Sequence, residues 1–207
     1  MTKTRWVWLV SGFLYLAFFS WYTSFGGKLS EAEIDHYMGI MEKRVQDPNE
    51  LTGLRRFLQE DTGDDFAMLN VIHMYDTPLP VDGVMPGDTS EDVLGKYMQY
   101  MWPALLARAC HPVMTGSAAN QSMELLNTPG METWSSGALM RYRSRRDLMD
   151  ITTNPAFSGS HDFKIAAMKK TFAFPVDPWF HLGDPRLLLG LFLFGLASVL
   201  SWIFARK

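Results

Sequence analysis

Three polar side chains, Asn70, His73 and Tyr75, interrupt an otherwise apolar run at residues 66–75. An apolar pocket needs a few such groups to orient a ligand. In a strand, alternation puts His73 and Tyr75 on one face and Asn70 on the other. A histidine or asparagine there also serves as a hydrogen-bonded core group, since buried polar side chains are nearly always partnered. Arg141 is the fourth candidate ligand contact. With Arg143, Arg145 and Arg146 it makes the densest cationic cluster outside the two apolar ends of the chain. Guanidinium groups so gathered can hold an acidic ligand bidentately; an exposed strand edge running into a helix start gives the same pattern without a ligand.

Other chemistries are excluded more readily. His36, His111, His161 and His181 lie far apart, and no pair has the i, i+4 spacing of a helical metal site. No metal and no cofactor is therefore expected. His161 and Asp162 are adjacent and point apart on a helix, so they make no dyad. Cys110 is the only cysteine. It leaves no route to an intrachain disulfide, a CxxC redox pair or a cysteine zinc cluster, and reads as a small buried apolar residue. The net charge of -3, with signs interspersed, offers no field for nucleic acid. Fourteen methionines suit an irregular core, and Asn120-Gln-Ser122 satisfies the N-glycosylation pattern. No constellation announces a reaction, so the sequence leaves open whether the chain is an enzyme.

Two hydrophobic segments, residues 6–25 and 187–205, bracket these candidates, and each has about the length of a membrane-crossing helix. Lys3 and Arg5 precede the first, and Arg206 and Lys207 follow the second. Cationic flanks stay on the cytoplasmic side, which predicts two passes of the inner (plasma) membrane, both termini cytoplasmic, and the main domain periplasmic or otherwise extracytoplasmic. Trp21, Tyr22 and Phe25 stand where a cleavable signal peptide needs small residues, so the first segment reads as a retained anchor. Gly190, Ala197 and Ser201 lie near one stripe of the second, spaced to admit a neighbouring helix. The division is an anchor at 1–28, a helical hairpin at 29–65, an α+β domain at 66–180 and a second anchor at 181–207.

Within the hairpin, Ser30 with Glu33 makes a capping box and Asp47-Pro48 a second helix start. The hairpin's apolar stripes must cover the main domain or a partner. Strand patterns follow at 66–75, 113–119, 134–143 and 171–176. A long helix runs from Ser90 through Pro103 and ends at His111-Pro112; Ser144 caps another that Asn154-Pro155 stops, and a further helical piece spans 160–170. On the third strand Ala138, Met140 and Tyr142 share a buried face, which turns Arg141 outward. The order strand, helix, strand, strand, helix, strand is that of a ferredoxin-like βαββαβ domain. Because the first strand is apolar on both faces, its second face is expected to pack against a second copy.

The run Met68-Leu-Asn-Val-Ile-His73, the helix Tyr97-Met-Gln-Tyr-Met-Trp-Pro103, the stretch from Trp134 through Leu139-Met-Arg-Tyr-Arg-Ser-Arg-Arg-Asp147, Asn154-Pro155 and Ile165-Ala-Ala-Met resemble the DUF1330 family of the dimeric α+β-barrel superfamily. The resemblance covers residues 66–176. It implies a homodimer and, from enzymes elsewhere in the superfamily, a small hydrophobic or aromatic ligand held in the barrel; it supplies no catalytic residue. Two expectations follow. One is a non-catalytic accessory or assembly subunit of a larger membrane complex. The other is a membrane-tethered enzyme or binding protein for a small hydrophobic or aromatic molecule.

Overall fold

The computed structural model describes residues 2–157, 159–179 and 181–206. Residues Phe25–Asp177 form one compact unit, and the two terminal helices form a second.

The first unit opens with a hairpin of α2 (Glu31–Met41) and α3 (Pro48–Gln59). Ser30 Oγ accepts from the Glu33 amide at 3.3 Å while the Glu33 carboxylate accepts from the Ser30 amide at 2.8 Å, the expected capping box. Asp47 caps α3 through the Asn49 amide at 2.8 Å, with Pro48 at its first position. The apolar face covers the main domain: Leu29, Ile34, Tyr37, Met38 and Leu58 enclose Met149, and Tyr37 Oη donates to Asp150 at 2.7 Å.

The remainder alternates β1 (Phe66–Met74), α4 (Ser90–Ala107), β2 (His111–Ser117), β3 (Ser136–Tyr142), α5 (Arg145–Thr153), a 3-10 turn at Pro155–Phe157, α6 (His161–Ala167) and β4 (Met168–Val176). The strands pair antiparallel in the order β2-β3-β1-β4. This is the ferredoxin-like arrangement that the order of elements predicts. The two edge strands carry Pro112 and Pro175, where a missing N–H breaks no central ladder. The long helix ends earlier than expected. Its last turn closes at Leu105 and Leu106, whose carbonyls accept from Cys110 and Ala109 at 2.9 and 3.1 Å, with Ala109 left-handed at φ 55°. His111 and Pro112, expected to end that helix, instead open β2, and the register slips just after Pro112.

Even-numbered residues of β1 face the helices. Phe66 stacks on Tyr142 at 5.4 Å and packs with Met101, Leu105 and Ile151. Cys110 joins that cluster, as expected, and burial pushes its thiol up to about 11, so it is protonated and unreactive at neutral pH. Over its middle the odd-numbered face has no comparable cover from the described residues of this unit. Leu69 and Val71 pair there with Phe174 and Phe172, which are 46% and 38% exposed, and Met114 beside Leu139 is 60% exposed.

In the second unit α1 (Lys3–Tyr22) and α7 (Pro185–Ala205) run antiparallel. Trp8 meets Phe194 edge to face at 5.6 Å, and the Lys3 ammonium lies 5.9 Å from the Phe204 ring. The small residues of α7 do admit its neighbour: a Cβ at Gly190 would stand 3.2 Å from the Tyr15 ring, and Ala197 is fully buried. The expectation of two membrane-crossing helices must be corrected. Among the described residues α7 alone is long and apolar enough to cross a membrane. Helix α1 falls short because it contains Lys3 and Arg5 and five Trp and Tyr side chains, whose polar edges lower its hydropathy. Of the C-terminal cations Arg206 is described, and Lys207 lies outside the described residues.

Candidate functional site: a cavity between α4 and the sheet

Residues that recur on one face of α4, among them Leu94, Tyr97, Met98 and Met101, stand over the helix-facing side of the sheet. Opposite them, β2 and β3 present small groups, Thr115, Gly116, Ser136, Gly137 and Ala138. Large side chains above small ones leave a cavity of about 450 Å³. That volume is within the ~300–1,000 Å³ range common for ligand pockets.

Its walls are mostly apolar, and three polar side chains stand out. Asn70 lines the cavity, and its Nδ2 donates to the Met68 carbonyl at 3.0 Å while its amide oxygen has no donor among the described residues. Tyr97 lines the cavity from α4, and burial raises its phenol above the ordinary range. Lys164 enters from α6, and burial lowers its amine below the ordinary range. Neither the Tyr97 nor the Lys164 side chain has a hydrogen bond or ion pair among the described residues.

The four residues picked from sequence do not converge. Asn70 is in the cavity. His73 is on the opposite face, with Nδ1 3.3 Å from Ser135 Oγ, and that hydroxyl also accepts from the Met74 amide at 2.9 Å. Tyr75 has left the sheet after an irregularity at His73/Met74; its amide donates to Ala167 at 3.0 Å and its carbonyl accepts from Ser90 Oγ at 2.6 Å. Arg141 does not meet the cavity. It is 5% exposed, its Nε donates to Asp65 at 2.7 Å and its Nη1 to the Ala109 carbonyl at 2.8 Å.

The rest of the arginine cluster is likewise internal. Arg143 pairs with Asp147 at 2.8 and 2.9 Å, Arg145 lies 3.6 Å from Asp61 and over the Phe57 ring, and Arg146 pairs with Glu33 at 2.7 Å. Arg146 and the Ser30 cap hold the Glu33 carboxyl at about 2. The cluster is thus neither a ligand clamp nor an exposed edge; it fastens β3 and α5 to the hairpin. Sequence reasoning missed Tyr97 and Lys164 as site residues. Lys164 had one recognisable mark, a charge three residues before buried Ala167 on the face that α6 turns inward.

A four-stranded antiparallel sheet with helices on one face and a pocket beneath the longer helix defines an α+β protein of ferredoxin-like topology. A solved structure shares it: the RPA0582 protein of unknown function from Rhodopseudomonas palustris aligns with a TM-score of 0.53 and 16% identity, over 66% of this chain and 98% of its own. Its methylated form gives 0.53 and 17%, over 68% and 98%. At that identity the likeness is one of fold alone. A dimeric protein of unknown function and ferredoxin-like fold from Bacteroides fragilis aligns at 0.32 with 13% identity, over 55% of this chain and 96% of its own. No protein-family model matches the chain, so the DUF1330 resemblance has no such match behind it. No curated protein matches either.

Proposed function

We propose that this chain is a membrane-tethered binding protein or enzyme whose α+β unit takes a small, largely apolar molecule into the cavity between α4 and the sheet. The observation that carries this reading is the cavity, about 450 Å³, with apolar walls and a few inward polar groups. Helix α7 is the anchor. The uncovered sheet face, with Phe172 and Phe174, is covered by the same face of a second copy, giving a homodimer. The second reading, an accessory subunit of a larger membrane complex, draws on that same exposed face.

Native mass measurement of the full chain released from lipid nanodiscs tests both. The expected result is a dimer that retains a small molecule. Ala138→Trp fills the cavity floor and is expected to lose the molecule while staying dimeric; Phe174→Lys is expected to give monomers. Copurification with larger subunits and no small molecule in any preparation favours the accessory reading and ends the first.

The orientation follows from charge. The antiparallel pair brings Lys3 and Arg5 to the same end as Arg206, while Arg186 at the other end is neutralised by Asp184 at 2.7 Å. With α7 crossing once and Arg206 on the cytoplasmic side, a reporter fused after the last residue is expected to read cytoplasmic, and one in the 76–89 loop external. A cytoplasmic reading from the loop overturns this topology.

A further inference from the structure

We infer that the cavity is made for a ligand bearing one anionic oxygen group, a carboxylate or phenolate, which the Lys164 ammonium receives with Tyr97 and Asn70 beside it. The inference rests on the binding reading above and names the class of ligand. Its basis is the contrast between half-buried Lys164 and other buried or half-buried cations of this unit. Arg141, Arg143, Arg145 and Arg146 each face a carboxylate of the chain itself, Asp65, Asp147, Asp61 and Glu33. Lys96, on the far side of α4, has Asp88. Lys164 has no such partner among the described residues, and no Asp or Glu lines the cavity it enters. A charge taken out of water without a counter-ion is costly, and the usual remedies are pairing or loss of the proton.

Burial lowers the Lys164 amine below its ordinary range, which marks how poorly the charge is compensated where it stands. An anionic ligand supplies the missing pairing. The same cavity is lined by further groups that can donate. The Tyr97 hydroxyl is unpartnered among the described residues, Asn70 keeps one N–H beyond that given to Met68, and Ser136 offers a hydroxyl. A carboxylate accepts several such bonds. The remaining wall, Leu94, Met98, Met101 and Trp102, is apolar and suits an aromatic or aliphatic body.

The test uses two probes of nearly equal shape, 2-naphthoate and 2-naphthalenemethanol, titrated calorimetrically into the full chain in nanodiscs, with empty nanodiscs subtracted. The naphthoate is expected to bind at least about tenfold more tightly than the alcohol, the effect of one charge-assisted hydrogen bond. Lys164→Met keeps the aliphatic bulk and is expected to abolish that preference while the alcohol binds as before; Lys164→Arg keeps the charge and is expected to restore most of it. Because Lys164→Met removes a half-buried charge that has no counter-ion among the described residues, its melting temperature is expected to match or exceed that of the unchanged protein, which separates lost recognition from lost folding. Equal binding of the two probes, or a preference that survives in Lys164→Met, overturns the inference and leaves the binding reading standing. Failure of both probes to bind the unchanged protein overturns the binding reading and the inference with it.

Discussion

Arg141→Asp is expected to lower the melting temperature of the full chain by about 10 °C, from a loss of about 3 kcal/mol or more. The strand pattern alone gives the opposite expectation, because alternation turns Arg141 away from Met140 and Tyr142 toward the outer face. That face is not open at this end of the sheet. The turn that ends α4 folds over it, held by the left-handed Ala109, and Arg141 Nη1 donates to the Ala109 carbonyl at 2.8 Å while Nε binds Asp65 at 2.7 Å. The substitution leaves that carbonyl without its buried donor and sets a second carboxylate against Asp65, two penalties that fall on the folded state alone. Arg56→Asp is the control. Arg56 and Glu60 also make an ion pair at 2.9 Å, but both are exposed, and solvent screens such a pair so that it contributes little. Thermal unfolding followed by circular dichroism decides the matter: equal small shifts for the two variants mean that the Arg141 contacts carry no stability.

The comparison shows what kind of information sequence carries. Local signals were legible, because each is fixed by a few neighbouring residues. The Ser30–Glu33 box, the Asp47-Pro48 start, the Ser144 cap and the alternation of Ala138, Met140 and Tyr142 all depend on backbone groups within one turn or one strand. The order of elements then restricted the fold, since short antiparallel connections and one long helix leave few topologies. The end of α4 was missed because a left-handed alanine closes it, and nothing in the residue type marks that conformation.

The site was less legible for a related reason. Asn70 could be found from the first strand, but its neighbours in the cavity come from α4, α6 and β3, dozens of residues away. Tyr97 reads as one more apolar residue on a helical stripe and Lys164 as one more surface charge. Only the tertiary contacts reveal that, among the described residues, the first side chain lacks a hydrogen-bond partner and the second lacks a carboxylate. The arginines erred in the other direction. Four cations in six residues look like a site, yet their carboxylates arrive from Glu33, Asp61, Asp65 and Asp147.

Gly63→Ala is expected to loosen the hairpin from the rest of its unit, at a cost of about 3 kcal/mol. Gly63 has φ +87°, a conformation that costs an alanine about 1 kcal/mol or more. The larger effect is steric. A Cβ at this position would lie 2.6 Å from the carbonyl carbon of Gly27 and 2.8 Å from the Lys28 nitrogen, and these are backbone atoms. They cannot withdraw cheaply. Arg146 donates to the Gly27 and Lys28 carbonyls at 3.2 and 3.4 Å, and the Leu29 amide donates to Asp61 at 2.7 Å; Asp61 also accepts from the Gly63 amide at 3.1 Å. Displacing residues 27–29 breaks those bonds together and pulls Leu29 from the cluster that encloses Met149. Gly53→Ala is the counterpart, because Gly53 is inside α3 with nothing within 4 Å of its Cβ position. That change is expected to stabilise by about 0.5–1 kcal/mol. Hydrogen exchange separates the outcomes: in Gly63→Ala the amides of α2 and α3 are expected to lose protection while those of β1 and β3 keep theirs. Unchanged protection in α2 and α3 means that the turn at Gly63 is not what fastens the hairpin.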